Sequence, residues 1–493
     1  MHRRFRPDAE ALFDVGTGRR WTWAQLDDEA AAWAARLRQE GVEPGDRVGV
    51  LALNRGETVA LAFAVAKLGA VLFPMNWRLA PEELQWQLHN CTPRLVVVDQ
   101  RHADVALDVP RLTMDDGPGT PPAGAPFPGS ALGAPWMIMY TSGSTGRPKG
   151  ALLTHQMLQY NAMNTVLACD LDTSSATLTF TPLFHTGGMN CLSLPLFFRG
   201  GRVVLTPTLD PAEALQLVTT ERISHLMGVP TIYQMLADQP AFDTADLGCV
   251  RDALCGGAPL ALPLLERYQA RGIPLRQGFG MTEVGPNCFS MPAERALDKM
   301  RGGTHPTEGP PGSCVGLPIH LIDMKLVDAA GAEVPVGEPG ELLLKGPVVC
   351  GGYWNNPEAT ARSIRDGWFH TGDVLSRDHE GYFHVRGRLK EMFISGGENV
   401  YPAEVEAALQ RHPDVALAAV IGIPDDRWGE VGRAFVETHP GHSVEPGALK
   451  AFLQERLARF KVPKVYDIVP TDALPRTASG KLDKPALARR PLS

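Results

Sequence analysis

Residues 136–150 read Trp-Met-Ile-Met-Tyr-Thr-Ser-Gly-Ser-Thr-Gly-Arg-Pro-Lys-Gly. The apolar run at 136–140 has the character of a buried strand, and it stops at a loop of hydroxyl residues and glycines ending in a lysine. Gly143 and Gly146 open backbone conformations closed to other residues and let main chain approach a ligand. Thr141, Ser142, Ser144 and Thr145 offer hydroxyl donors, the backbone offers N–H groups, and Lys149 offers a positive charge. Together they form a cradle for a polyphosphate. The Walker pattern is not met, because the fifth residue after Gly143 is Pro148 and Gly150 follows the lysine. An ordinary Gly/Ser turn shares this composition. Such a turn would need neither the strand before it nor the apolar-periodic segment after it at Leu152, Leu153, Met157 and Leu158.

The flanking sequence repeats one rhythm. Trp23, Leu26, Ala30, Trp33 and Leu37 fall at helical spacing. Strand-like runs at 47–53, 70–74 and 95–99 alternate with helical segments ending near Lys67 and starting near Pro81. This alternation predicts a layered α/β domain with a largely parallel sheet. It resumes after the glycine loop, with strands expected at 176–182, 202–206, 225–229, 253–256 and 275–279 and helices at 211–220 and 260–271. Short strands at 322–327 and 340–345 predict a small β subdomain. Beyond Arg388, helices at 402–412 and 446–460 and strands at 416–423 and 433–438 predict a compact α+β unit.

Composition narrows the class. A chain of 493 residues exceeds one ordinary core, and 44% hydrophobic with 21% charged residues suits a soluble globular enzyme. A formal charge of −8 argues against a nucleic-acid-binding surface. No apolar run follows the basic residues of Met1–Phe5, so no secretory signal is expected. The longest apolar stretch, 59–73, is broken by Lys67 and Gly69 and is too short to span a bilayer. The 8 cysteines form no C-x-x-C pair, so neither disulfides nor zinc are expected, and reduced thiols point to the cytoplasm.

Further islands carry polar chemistry. Gln277-Gly-Phe-Gly-Met-Thr-Glu283 fails the dinucleotide fingerprint, since Glu283 stands where a third glycine would be. Glu283 suits a magnesium ion, and Phe279 suits stacking on a purine. In Trp368-Phe-His-Thr-Gly-Asp373 a carboxylate follows an expected tight Thr-Gly turn, a geometry that suits paired ribose hydroxyls. Arg388 offers a guanidinium to the same sugar or its phosphate. Lys390 precedes a second glycine loop, Ser395-Gly-Gly397, expected between a strand and a helix. Pro475-Arg-Thr-Ala-Ser-Gly-Lys481 delivers one lysine near the C-terminus.

Six of these motifs in register resemble the acyl-adenylate-forming superfamily, from about residue 20 to residue 485, in its acyl-CoA synthetase branch. They are Tyr140 to Gly150, Gly256-Gly-Ala-Pro259, Phe279-Gly-Met-Thr-Glu283, Thr371-Gly-Asp373, Gly387-Arg388 and Pro475 to Lys481. The resemblance implies a domain of residues 1–388 binding ATP and the acid, and a mobile lid of residues 389–493 hinged near Lys390. It implies that the loop Thr141, Ser142, Gly143, Ser144, Thr145, Gly146 and Lys149 grips the β- and γ-phosphates. Thr282 then contacts the α-phosphate, and Glu283, with Thr145, binds Mg2+. Gly257, Ala258, Pro259 and Phe279 enclose the adenine, Phe279 replacing a more usual tyrosine while keeping the stacking face, and Gly280 and Met281 belong to the same cofactor-binding set. Asp373 and Arg388 hold the ribose, and Lys481 stabilises the adenylation transition state. Ser395, Gly396 and Gly397 line the pantetheine tunnel.

The implied reaction forms an acyl-AMP from a carboxylic acid and ATP, then a CoA thioester. The implied acyl walls are His185 to Met189, Gly228 to Thr231 and Cys255 to Gly257. They contain no lysine or arginine to pair a second carboxylate, which favours a monocarboxylic acid. His185 gates this pocket, contacts the substrate carboxylate, or packs in the core. A medium- or long-chain fatty acid is the first expectation, with aryl- or o-succinylbenzoate-CoA ligase as the alternative. A carrier-loading adenylating enzyme ranks lower, since the Ser395–Gly397 loop fits CoA. The implied partners are the acid, ATP and CoA, with no nucleic acid, no stable membrane anchor, and a homodimer left open.

Overall fold

The computed structural model describes residues 1–119, 127–141, 148–302, 305–395, 398–477 and 482–491. Two compact units interleave along the sequence. The first comprises Met1–Ala296, Pro318–Asp323 and Leu344–Phe369, and the second Leu297–Leu317, Met324–Leu343 and His370–Ser493.

The first unit carries two α/β layers. One sheet runs in the order Arg111–Thr113, Leu95–Val98, Arg47–Leu51, Val71–Pro74, Pro135–Thr141, Lys149–Thr154. The other runs Leu275–Gln277, Asp252–Cys255, His225–Gly228, Ala176–Thr179, Arg202–Leu205, Glu10–Asp14, Arg19–Thr22. Neighbouring strands are parallel except at one edge of each sheet. Val71–Pro74 and Leu95–Val98 are buried at every position, as strands covered on both faces must be. The helix Trp23–Gln39 opens with a capping box between Thr22 and Gln25 and buries Trp23, Leu26, Ala30, Trp33 and Leu37. Gly56–Leu68 ends at Gly69 in the left-handed conformation, where glycine carries no Cβ penalty.

The segment after the glycine loop is not one periodic element. Lys149–Thr154 is a strand antiparallel to Pro135–Thr141, with Tyr140 opposite Gly150 and Thr141 opposite Lys149. The helix starts only at His155, where Thr154 Oγ1 accepts from Met157 N at 3.1 Å. Gly150 is required by close approach, because a Cβ there would lie 2.8 Å from Ile138 and 3.3 Å from the Tyr140 ring.

In the second unit, Phe383–Arg388 pairs antiparallel with residues 373–377 of the strand Trp368–Arg377. Thr371–Gly372 is therefore not the tight turn expected from sequence. It lies inside a ten-residue strand, with Gly372 at φ +70°. The C-terminal part is α+β. Its sheet runs Glu398–Val400, Phe393–Ser395, Gly429–Thr438, Val415–Asp425, and Val465–Val469 joins Gly429–Thr438 in parallel. Helices Pro402–Leu409 and Pro446–Gln454 cover it through Val405, Leu409, Leu449 and Leu453. The second glycine loop links two strands, Ser395 facing Glu398, and the helix begins after them at Pro402. The architecture is thus the expected one, a large α/β region with a β subdomain and a smaller α+β region. All eight cysteines are free. No helix of the described residues is long and apolar enough to cross a membrane.

Candidate active site

Lys149 and Thr141 face each other across the hairpin that carries the glycine loop, and Thr141 Oγ1 donates to Lys149 O at 3.4 Å. The rest of the cradle, Ser142, Gly143, Ser144, Thr145 and Gly146, lies outside the described residues. Lys149 Nζ stands 4.9 Å from the Tyr353 ring centroid, a cation–π contact. Beside it opens a cavity of ≈ 340 Å³ lined by Trp86, Asn90, Pro148, Lys149, Gly150 and Trp354 among others.

The Glu283 loop is folded back on itself. Met281 N donates to Pro286 O at 3.0 Å and Cys288 N to Phe279 O at 3.3 Å, and Gly280 bridges Asn287. Gly280 permits this, since its Cβ would sit 1.8 Å from Pro286 O. Thr282–Val284 forms a single 3-10 turn ended by Gly285 at φ +97°. Glu283 is then anchored twice: its carbonyl accepts from Cys350 N at 2.8 Å, and its Oε1 accepts from the Tyr353 phenol at 2.9 Å. Burial, reinforced by the Glu283 charge, pushes the Tyr353 phenol far above its ordinary value. It therefore stays a donor. A carboxylate held by one oxygen in this way offers a hard ligand that suits Mg2+.

The residues expected at the adenine are also tied together. Phe279 is half-buried and meets Phe289 at 5.8 Å between ring centroids. Gly257, Ala258 and Pro259 are exposed, with Gly257 at φ +81°. Gln277 fastens the two stretches, since its Oε1 accepts from Leu260 N at 2.8 Å and its Nε2 donates to Ala258 O at 3.2 Å. Gln277 has no role in the sequence-based set. Its position at a strand end, one residue before the loop, was the available signal.

Two of the three segments named as acyl walls meet at Met227, and the third reaches one of them through Val229. A Cβ on Gly187 would lie 3.4 Å from Met227 Cε, and one on Gly256 would lie 3.8 Å from it. Val229 Cγ1 sits 3.4 Å from the corresponding position of Gly257. His185 stands at the N-cap of the short helix Thr186–Gly188, its ring 4.6 Å from that of Phe184.

In the second unit Asp373 and Arg388 are direct cross-strand partners. Arg388 Nε lies 2.8 Å from Asp373 Oδ1 and Nη2 lies 3.5 Å from Oδ2, with the aspartate side chain only 5% exposed. Glu341, absent from the sequence-based set, supports the stretch before them. Its Oε1 accepts from Gly372 N at 3.1 Å and its Oε2 lies 3.0 Å from His370 Nδ1. Lys390 is exposed in the turn that follows, and Ser395 is buried at a strand end. Gly396, Gly397 and Lys481 lie outside the described residues.

One acidic cluster stands apart from these groups. Glu308, Asp378 and Glu380 converge as metal ligands would, but Lys299 Nζ already contacts Glu308 at 3.3 Å, Asp378 at 3.1 Å, and Glu380. Burial opposes the ammonium, and the three carboxylates nonetheless raise its pKa above the ordinary lysine value. The place a cation would take among the three carboxylates is thus filled by the Lys299 ammonium.

The AMP-binding enzyme family matches residues 2–354, and its C-terminal domain family matches residues 404–481. The chain is 42% identical to a feruloyl-CoA synthase of an Amycolatopsis species, over 99% of this chain and 97% of that one. It is 37% identical to an indoleacetate–CoA ligase of Aromatoleum aromaticum, over 94% and 92%. The structure of o-succinylbenzoate coenzyme A synthetase from Bacillus subtilis, in complex with ATP and magnesium ion, superposes with a TM-score of 0.88 at 29% identity. That match covers 98% of this chain and 97% of the other.

Proposed function

The chain belongs to the AMP-binding enzyme family, and from that premise we propose that it is an ATP-dependent CoA ligase acting on an aromatic monocarboxylic acid. The observation that carries the reading is the Glu283 carboxylate, held by the Tyr353 phenol at 2.9 Å within the same unit as the Lys149 hairpin. The substrate carboxylate attacks the α-phosphorus of ATP, an acyl-AMP forms, and pyrophosphate leaves. The CoA thiolate then attacks the acyl carbonyl, the thioester forms, and AMP leaves.

Each residue has one task in this scheme. Thr141, Lys149 and the intervening loop hold the leaving pyrophosphate, and Thr282 contacts the α-phosphate. Phe279 stacks on the adenine beside Gly257, Ala258 and Pro259. Asp373, fixed by Arg388, accepts from the ribose hydroxyls. Glu283 and Thr145 would hold Mg2+, which when bound offsets charge on the phosphates. Lys481 offsets charge on the transferring phosphoryl group. Rotation of the C-terminal region about Lys390 withdraws Lys481 and brings Ser395, Gly396 and Gly397 to the pantetheine arm. We place the enzyme in the cytoplasm, in keeping with its free cysteines.

An aryl acid takes precedence over the fatty acid first expected, because relatives at 42%, 38% and 37% identity are a feruloyl-CoA synthase, a 2-succinylbenzoate–CoA ligase and an indoleacetate–CoA ligase. The apolar, glycine-rich walls around Met227 keep a fatty acid as the second reading. The deciding experiment measures CoA-dependent AMP release across hydroxycinnamic, benzoic, indoleacetic, fatty and dicarboxylic acids. The highest kcat/KM is expected with an aromatic monocarboxylic acid. A fatty-acid optimum overturns the substrate assignment, and AMP release with a carrier protein but not with CoA overturns the ligase class.

A further inference from the structure

Tyr353 lies outside every motif that marks the family resemblance, yet it touches both charged ends of the phosphate site. Its hydroxyl donates to Glu283 Oε1 at 2.9 Å, and its ring centroid lies 4.9 Å from Lys149 Nζ. The side chain is fixed from behind. Tyr353 N donates to Thr360 Oγ1 at 2.9 Å, Trp354 N to Gly150 O at 2.7 Å, and Leu152 N to Gly352 O at 2.9 Å. Gly352 sits at φ +114°, with Thr360 Cγ2 only 2.5 Å from where its Cβ would be. The residue is 7% exposed, so the ring has little room to swing. The segment also grips the backbone of its target, through Cys350 N to Glu283 O at 2.8 Å.

We propose that Tyr353 is a positioning residue that sets the Glu283 carboxylate for the cation and holds the Lys149 ammonium for the phosphates. The proposal rests on the roles given to Glu283 and Lys149 above. Glu283 and Lys149 carry opposite charges in one unit, and nothing in the chemistry of either alone prevents them from pairing. A tyrosine addresses both without neutralising either. Its hydroxyl is a neutral donor that occupies one carboxylate oxygen and leaves the negative charge available to a cation. Its ring face attracts the ammonium through the quadrupole, with no counter-charge to compete with a phosphate. An arginine or lysine in this place would cancel the charge on Glu283. A phenylalanine would hold Lys149 and release the carboxylate.

The test uses the full-length protein with ATP and no acid, so that no turnover occurs. Binding of Mn2+, as a probe for Mg2+, is read from the electron paramagnetic resonance of the free ion, and metal-free ATP binding is read by calorimetry. Tyr353→Phe should weaken Mn2+ binding about tenfold, the usual scale for losing a partner of a ligating carboxylate. It should leave metal-free ATP affinity within about twofold, because the cation–π face is kept. Tyr353→Leu should weaken both. Glu283→Gln is the control for the underlying reading. If Glu283→Gln loses Mn2+ affinity and Tyr353→Phe does not, the positioning role of Tyr353 is overturned while the site assignment stands. If Glu283→Gln binds Mn2+ like the parent, the assignment of Glu283 itself is overturned. If Tyr353→Leu keeps metal-free ATP affinity, the Lys149 half of the proposal is overturned.

Discussion

Replacing Gly280 by alanine tests whether the Glu283 loop works because it is folded back on itself. The new Cβ would stand 1.8 Å from Pro286 O and 2.8 Å from Pro286 C, both backbone atoms that no rotamer change can move. Relaxed carbon–oxygen contacts lie near roughly 3.3 Å, so the two arms of the loop must part by about 1.5 Å. The Met281 N to Pro286 O bond, 3.0 Å long, does not survive that separation. A buried acceptor left without its donor costs about 1–3 kcal/mol, and overpacking costs about as much again. A total near 3 kcal/mol corresponds to roughly a hundredfold rise in local opening. Hydrogen exchange of peptides spanning 278–290 should accelerate by that factor, and acyl-AMP formation should fall with it. Gly278→Ala is the control, because its Cβ meets nothing nearer than Cys255 O at 3.7 Å. Equal exchange rates in the two variants would refute the argument.

Lys481→Ala should abolish acyl-AMP formation from acid and ATP while sparing thioester formation from supplied acyl-AMP, and an equal loss of both half-reactions refutes the division of roles. Arg276 is buried and grips Asp252 through Nε–Oδ1 and Nη2–Oδ2 bonds of 2.6 Å. Arg276→Met should therefore destabilise by about 3–5 kcal/mol, with Arg276→Met/Asp252→Leu recovering much of it in a denaturation cycle. Burial lowers the pKa of His225, so the unfolded chain binds more protons below about pH 6.5. Its contribution is complete above that pH and is lost as pH falls toward the folded value, at no more than about 1.4 kcal/mol per pH unit. His225→Gln should flatten the fall of the urea midpoint between pH 7.5 and 5.5, and an unchanged slope counts against the assignment.

Local chemistry explains what was legible in the residues and what was not. Buried parallel strands announce themselves as unbroken apolar runs, so 70–74 and 95–99 were placed within a residue or two of Val71–Pro74 and Leu95–Val98. Asp373 and Arg388 were readable as a pair because a short hairpin returns the chain to the same place after fifteen residues, and they face each other in register. The errors have two sources: glycine marks an unusual backbone angle without saying whether the chain reverses there, and apolar spacing does not show which strand a segment will pair with. At Gly372 the positive φ is accommodated inside a strand, where Gly372 O accepts from Leu389 N at 3.0 Å. After Lys149 the apolar residues at Leu152, Leu153, Met157 and Leu158 fit helical spacing. The pairing of 149–154 with 135–141 and the contact of Leu152 N with Gly352 O decide for a strand.

The supports of the site were harder to read than its chemistry, and the reason is physical. A residue that meets a ligand must belong to a restricted chemical type, so Glu283 and Lys149 stand out in any sequence. A residue that meets only other protein groups needs the right distance and nothing more. Tyr353, seventy residues from Glu283, and Glu341, twenty-nine from His370, are ordinary residues in ordinary runs. Their contacts exist only because distant stretches meet: the chain at 350–354 returns to Glu283 and the strand at 149–154, and the later strand at 368–377 comes back to Glu341. Substitutions at such positions should therefore change how tightly cation and nucleotide are held before they change which reaction occurs. Under the proposed scheme Lys481 differs from them in kind, since its loss would remove the positive charge that offsets the reacting phosphoryl group itself.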